Sequence, residues 1–145
     1  MITPVSECLY CQKNEMYQSL MIKICDLSSS EVFLFREQTY QGRCCVSYRE
    51  HGVDFHQLSV RQRDAFMHDV MVVANALQKV FDPAKINYGS FSDKLSHLHI
   101  HIVPKYIDGP SYGGMFEMNP GKVFLTDDQY AELISNLKSH IKSEL

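Results

Sequence analysis

A chain of 145 residues lies in the range where one hydrophobic core forms comfortably, and 45% apolar with 21% charged residues excludes disordered and fibrous classes. A formal net charge of −3 excludes the broad basic surface that polymeric nucleic acid demands, so any phosphate-bearing ligand is expected to be small. The apolar runs are far too short to cross a bilayer and no basic segment with an apolar stretch opens the chain, which is the expectation for a cytoplasmic protein with no membrane partner. Five cysteines, two of them adjacent at Cys44 and Cys45, do not suit a secreted disulfide framework, and reduced thiols are expected.

No repeat, low-complexity stretch or linker interrupts the sequence, so residues 1–145 read as one domain. Ser6 to Asn14 carries Cys8-Leu9-Tyr10-Cys11 and reads as an irregular knuckle. Its two thiolates suit Zn²⁺ but cannot alone close a tetrahedral site, and a pair of reduced core thiols is the other reading. Glu31 to Glu37 and Arg43 to Tyr48 are rich in β-branched and aromatic residues, with Gln41-Gly42 as turn chemistry, and predict a strand pair. Ser59-Val60-Arg61-Gln62 has the capping-box pattern that opens a helix. Phe66, Val70, Val73, Leu77 and Phe81 then give one apolar stripe until Asp82-Pro83. Lys85 to Tyr88 and Leu98 to Val103 are two further strands, followed after Pro104 by a glycine-rich loop. A second capping box, Thr126 to Gln129, opens a terminal helix with Tyr130, Leu133, Ile134, Leu137 and Ile141 on its apolar face. Strands with a central and a terminal helix make an α+β domain.

His97-Leu98-His99-Ile100-His101-Ile102-Val103 alternates without a break, and strand side chains alternate faces, so the histidines share one face and the aliphatic residues the other. Imidazoles roughly 7 Å apart along such a strand can serve one phosphate group together, and near neutral pH they offer both a nucleophile and a base. A lone histidine there would read as polar strand surface, and residues two apart diverge too far to build a tetrahedral metal site on their own.

This segment resembles, in all seven positions, the motif His-apolar-His-apolar-His-apolar-apolar of the histidine-triad (HIT) superfamily of nucleotide hydrolases and transferases. Val103-Pro104-Lys105 is similar to the Val/Leu-Pro-Arg that often follows the motif. Cys8 to Cys11 resembles the Cys-x-x-Cys that opens many bacterial members, and Phe33 to His51 their strand-turn-strand. The resemblance implies a HIT-like fold, an antiparallel sheet of about five strands that pairs as a homodimer. It also implies hydrolysis or transfer of a nucleotidyl group from a nucleoside 5′-phosphoramidate or phosphoanhydride through a nucleotidyl-histidine intermediate. By position His99 would be the nucleophile and His101 would hydrogen-bond the phosphate near the scissile bond. A backbone carbonyl is expected to accept the Nδ1 proton of His99, leaving Nε2 free.

The same resemblance suggests Asn87 near the phosphate, although an Asn there also suits a turn. Asp93 and Lys94 stand where many members carry Gln or Ser at the leaving group, and Phe35 stands where an acidic residue or Asn binds ribose, so Glu37 is the candidate for nucleoside recognition. In zinc-containing relatives a histidine after Lys-Glu and the first triad histidine join the two cysteines, which would give a structural Zn²⁺ on Cys8, Cys11, His51 and His97. Two further readings stay open: a diadenosine polyphosphate hydrolase, and a nucleotide-binding regulatory module with little turnover.

Overall fold

The computed structural model describes residues 3–52 and 54–145. In chain order the elements are α1 (Leu9–Gln12), α2 (Glu15–Leu20), β1 (Met21–Asp26), β2 (Ser30–Phe35), β3 (Cys44–Tyr48), α3 (Val60–Phe81), β4 (Lys85–Gly89), β5 (His99–Lys105) and α4 (Asp127–Glu144). The five strands form one sheet in the order β1-β2-β3-β5-β4, every pair antiparallel, as expected for the α+β fold.

Both long helices begin where their capping boxes stand: Ser59 accepts from the Gln62 amide and Thr126 from the Gln129 amide, and each glutamine reaches back to the cap. The helix α3 stops at Asp82, which takes a left-handed conformation with φ 44° ahead of Pro83. Phe66, Val70, Val73 and Leu77 are buried against Val32, Leu34, Val46, Ile100 and Ile102 of the sheet, and α4 adds Tyr130, Leu137 and Ile141 to the same core. Gly42, in the β2–β3 turn, has φ +89°, and a Cβ there would lie 2.6 Å from the Phe81 ring, so the turn and the end of α3 pack without room for a side chain. The β1–β2 turn is fastened to α3 by Asp69, whose buried carboxylate accepts from Ser28 Oγ, Ser29 N and Oγ, and Ser30 Oγ at 2.7–2.9 Å.

Three local features differ from the sequence reading. The N-terminal knuckle contains a one-turn helix, and α2 with β1 follows it. The strand β1 lacks a clean period-two signal because its register with β2 shifts between Lys23 and Cys25, and only Met21 and Ile24 are buried. The triad strand starts at His99 and runs through Pro104 to Lys105, whereas the sequence suggested Leu98 to Val103. Pairing with β3 ends at Ile102, so Pro104 lies opposite Ile86 of β4 alone, where a missing N–H removes no bond to β3.

The second face of the sheet is covered as well. A smaller core of Cys8, Leu9, Tyr10 and Tyr17 packs on Met21, Phe33, Phe35 and Cys45, beside the histidines.

Candidate functional site: a histidine strand beside a thiol and imidazole cluster

The register of β5 puts His99 opposite Ser47 and His101 opposite Cys45, on the face that carries the smaller core. All three triad histidines are buried, His97 at 3%, His99 at 6% and His101 at 4% exposure, so the strand is apolar on one side and enclosed on the other. The rings of His99 and His101 meet edge to face with centroids 5.0 Å apart. Tyr10, carried between the two cysteines of the knuckle, lies against both His97 and His99, with centroids at 5.1 and 4.9 Å.

Each imidazole has its proton placed by its partner. His99 donates Nδ1–H to the His97 carbonyl at 2.7 Å, so Nε2 carries the lone pair and has no protein partner among the described residues. That carbonyl is two residues away, in the segment that leads into β5. Ser92, held at φ 56°, brings its hydroxyl to 3.3 Å from the same carbonyl and 3.5 Å from His99 Nδ1. Burial lowers the pKa of His99 from the ordinary histidine value, and donation to the carbonyl opposes part of that shift. His101 is pushed down to about 3, by burial first, then by the Arg43 guanidinium and by His99. Both rings are therefore neutral at physiological pH.

His97 points the other way. Its Nε2–H donates to the Tyr48 carbonyl at 2.6 Å, turning Nδ1 toward Cys8 Sγ at 3.4 Å and Cys11 Sγ at 3.6 Å. His51 repeats the pattern, with Nε2–H on the Thr3 carbonyl at 2.7 Å and Nδ1 3.2 Å from Cys11 Sγ. The four donor atoms of Cys8, Cys11, His51 and His97 lie within 4.8 Å of one another. An S–N edge of a zinc tetrahedron built from ordinary bond lengths is roughly 3.6 Å, and the sulfur-to-nitrogen distances here, 3.2–3.6 Å, fit it closely. The carbonyl partners of both rings are the outer contacts that histidine ligands require.

A cavity of about 450 Å³ opens on His99 and His101, walled by Leu9, Tyr10, Leu20, Phe35, Leu95 and Met118. Asp93 and Lys94 line its rim, both exposed, as does Asn119. Asn87 lies on the histidine face of β4, opposite Val103, and lines an adjoining hollow with Lys85, Lys105 and Tyr112 rather than this cavity. Glu37 is not part of the wall either. Its Oε1 accepts from Thr39 N at 3.0 Å, from the Thr39 hydroxyl, and from Lys122 N and Val123 N at 3.3 and 3.2 Å, so it clamps the 117–124 segment to the end of β2. Sequence reasoning gave no role to Arg43 or Ser92. Arg43 carries no local signal, because its partners lie 58 to 75 positions away; the left-handed φ at Ser92 is likewise invisible in a serine.

The family model described as the HIT domain matches residues 18–108 of the chain. An uncharacterized HIT-like protein of Mycoplasma genitalium is 26% identical over 141 residues, covering 92% of this chain and 96% of that one. The crystal structure of a histidine triad protein from Marinobacter aquaeolei superposes with a TM-score of 0.81 at 17% identity, covering 91% and 96% of the two chains. A Zn-bound histidine triad family protein from Mycobacterium smegmatis superposes at 0.64 and 15% identity over 97% and 96%. The alternating histidines of β5 and a family match over more than half the sequence agree, and the chain belongs to the HIT domain family.

Proposed function

We propose that the protein is a nucleotide-binding hydrolase or transferase that uses His99 Nε2 as a nucleophile on the α-phosphorus of a nucleoside 5′-phosphoramidate or phosphoanhydride. The observation that carries this reading is the His99 tautomer, with Nδ1–H on the His97 carbonyl and Nε2 free beside the cavity. In the first step an N–P bond forms at His99 and the bond from phosphorus to the leaving group breaks with its electron pair on that group, a phosphate departing as the anion and an amine taking up a proton from solvent as it leaves. Water then attacks phosphorus, gives up a proton and releases His99 with its lone pair restored. His101 donates a hydrogen bond to a non-bridging oxygen, and neutrality of both rings keeps the nucleophile available. The apolar wall of Tyr10, Leu20 and Phe35 suits a nucleobase or sugar face, and Lys94 at the rim suits the leaving group. A cation at that rim also favours a second reading, a diadenosine polyphosphate hydrolase, because its leaving group is anionic.

The donor set of Cys8, Cys11, His51 and His97 fits Zn²⁺, which would be structural, since four protein ligands leave no open position for water. A zinc-bound family structure supports this. Its place two residues from His99 would anchor the strand and the Tyr10 wall together. Homodimer formation, carried over from the family resemblance, and a cytoplasmic location, carried over from the sequence composition, complete the proposal. The test is rapid-quench trapping with a radiolabelled adenosine phosphoramidate. The wild type should show a burst of acid-labile nucleotidyl-protein that His99→Ala lacks, with turnover reduced by roughly three or more orders of magnitude. Turnover in His99→Ala at the wild-type rate would end the mechanism.

A further inference from the structure

Arg43 is fully buried, at 0% exposure, and has no carboxylate within ion-pair distance among the described residues, the charge of Glu37 acting on it only from farther off. Burying a cation without a counter-ion is expensive, and such a group persists where the surroundings use it. Its plane lies over the Phe35 ring at 4.4 Å and beside Phe116 at 5.4 Å. One terminal nitrogen donates to the Met118 carbonyl at 2.7 Å, and more weakly to that of Glu117 at 3.4 Å. The other reaches Met118 Sδ at 3.2 Å and His101 Nδ1 at 3.3 Å, while Nε has no partner.

A guanidinium has only donors. The His101 nitrogen that faces it must therefore be the lone-pair nitrogen, which puts the single proton of the neutral ring on Nε2. We propose that Arg43 is a positioning residue that fixes His101 as the Nε2–H tautomer, so that His101 can donate to a phosphate oxygen but cannot compete with His99 as nucleophile. Two identical side chains on one face of one strand thus take opposite tautomers because one meets a carbonyl and the other a cation. Burial and the charge of Arg43 act together to keep His101 unprotonated; the titratable and charged groups that bear on it are Arg43 and His99. The cation behind His101 also adds positive potential on the side where the phosphate would sit. This inference takes the phosphate from the proposed function, whereas the tautomer itself is a property of the free protein.

The experiment is long-range ¹H–¹⁵N correlation on substrate-free protein labelled at histidine nitrogen, which separates protonated from lone-pair ring nitrogens. Wild type should show His101 with Nε2 protonated and Nδ1 bare. Arg43→Met should shift His101 toward Nδ1–H and lower kcat/KM by roughly 10–100-fold. Arg43→Lys keeps a cation at the site and should retain both the Nε2–H form and a rate within several-fold of wild type. Nδ1–H in the wild type overturns the proposal, as does a folded Arg43→Met that keeps Nε2–H, or a folded Arg43→Lys that loses it. If Arg43→Met does not fold, the wild type and Arg43→Lys spectra decide. If this pattern holds but the wild type does not turn over an adenosine phosphoramidate, the proposed reaction fails and the tautomer assignment stands. Turnover by the wild type, with the His101 tautomer unchanged in Arg43→Met, leaves the reaction standing and overturns the role given to Arg43.

Discussion

Tyr10→Ala removes the ring that packs on both His97 and His99 and walls the cavity, in a residue only 4% exposed. A buried aromatic ring covers about 150–250 Å², and truncating one to alanine destabilises by about 3–5 kcal/mol. The neighbouring cavity of about 450 Å³ lets nearby side chains relax into the gap, which places the expected loss near the lower end, about 3 kcal/mol. Tyr10→Phe keeps the ring and deletes only the hydroxyl contact to Cys45 Sγ at 3.5 Å, a weak bond to a poor acceptor, so its loss should be about 0.5 kcal/mol. Urea unfolding of the three proteins, with metal content measured alongside, separates ring from hydroxyl. Because the ring holds the face of His99, kcat/KM should fall roughly tenfold in Tyr10→Ala and stay near wild type in Tyr10→Phe. A folded Tyr10→Ala within about 1 kcal/mol of wild type at equal metal content would refute the claim that this ring ties the knuckle to the histidine strand.

Protein purified without chelator should carry about one Zn²⁺ per chain, and Cys8→Ser should lose it; chelation should lower the melting temperature before it lowers activity, as elemental analysis and thermal melts would show. His101 has a folded-state pKa of about 3, below its unfolded value, so the unfolded chain binds more protons in between. Its contribution is complete above about pH 6.5 and is lost progressively as pH falls toward about 3. Urea midpoints should therefore drop from pH 7 to pH 5 by less in His101→Phe than in wild type, and equal drops would contradict the assignment. Asp69→Ala strands the buried Ser30 hydroxyl and the Ser29 amide and should cost about 2–4 kcal/mol, measured by the same unfolding assay, with Asp69→Asn losing less.

The helix starts at Ser59 and Thr126, the stop at Asp82-Pro83 and the common face of His97, His99 and His101 were legible in the sequence, because each is written within a few consecutive residues. Capping is a bond between positions three apart, and strand alternation needs only the period of two. The strand β1 escaped because its bulge breaks that period. The meeting of Cys8, Cys11, His51 and His97 came from family resemblance rather than from spacing, and their donor atoms do converge. Tertiary structure alone decided what each polar side chain faces. Glu37 is occupied by the 117–124 segment, and Asn87 looks into the hollow beside Lys105. Ser92 sits against His99, and Arg43, at the start of a strand that pairs with β5, reaches His101 and the carbonyl of Met118. These partners are separated by dozens of positions, or by an irregular turn, and meet only through strand register and loop path. Local periodicity therefore grouped the histidines and the family resemblance singled out His99 among them, while long-range packing set the proton on the His97 and His101 rings beside it.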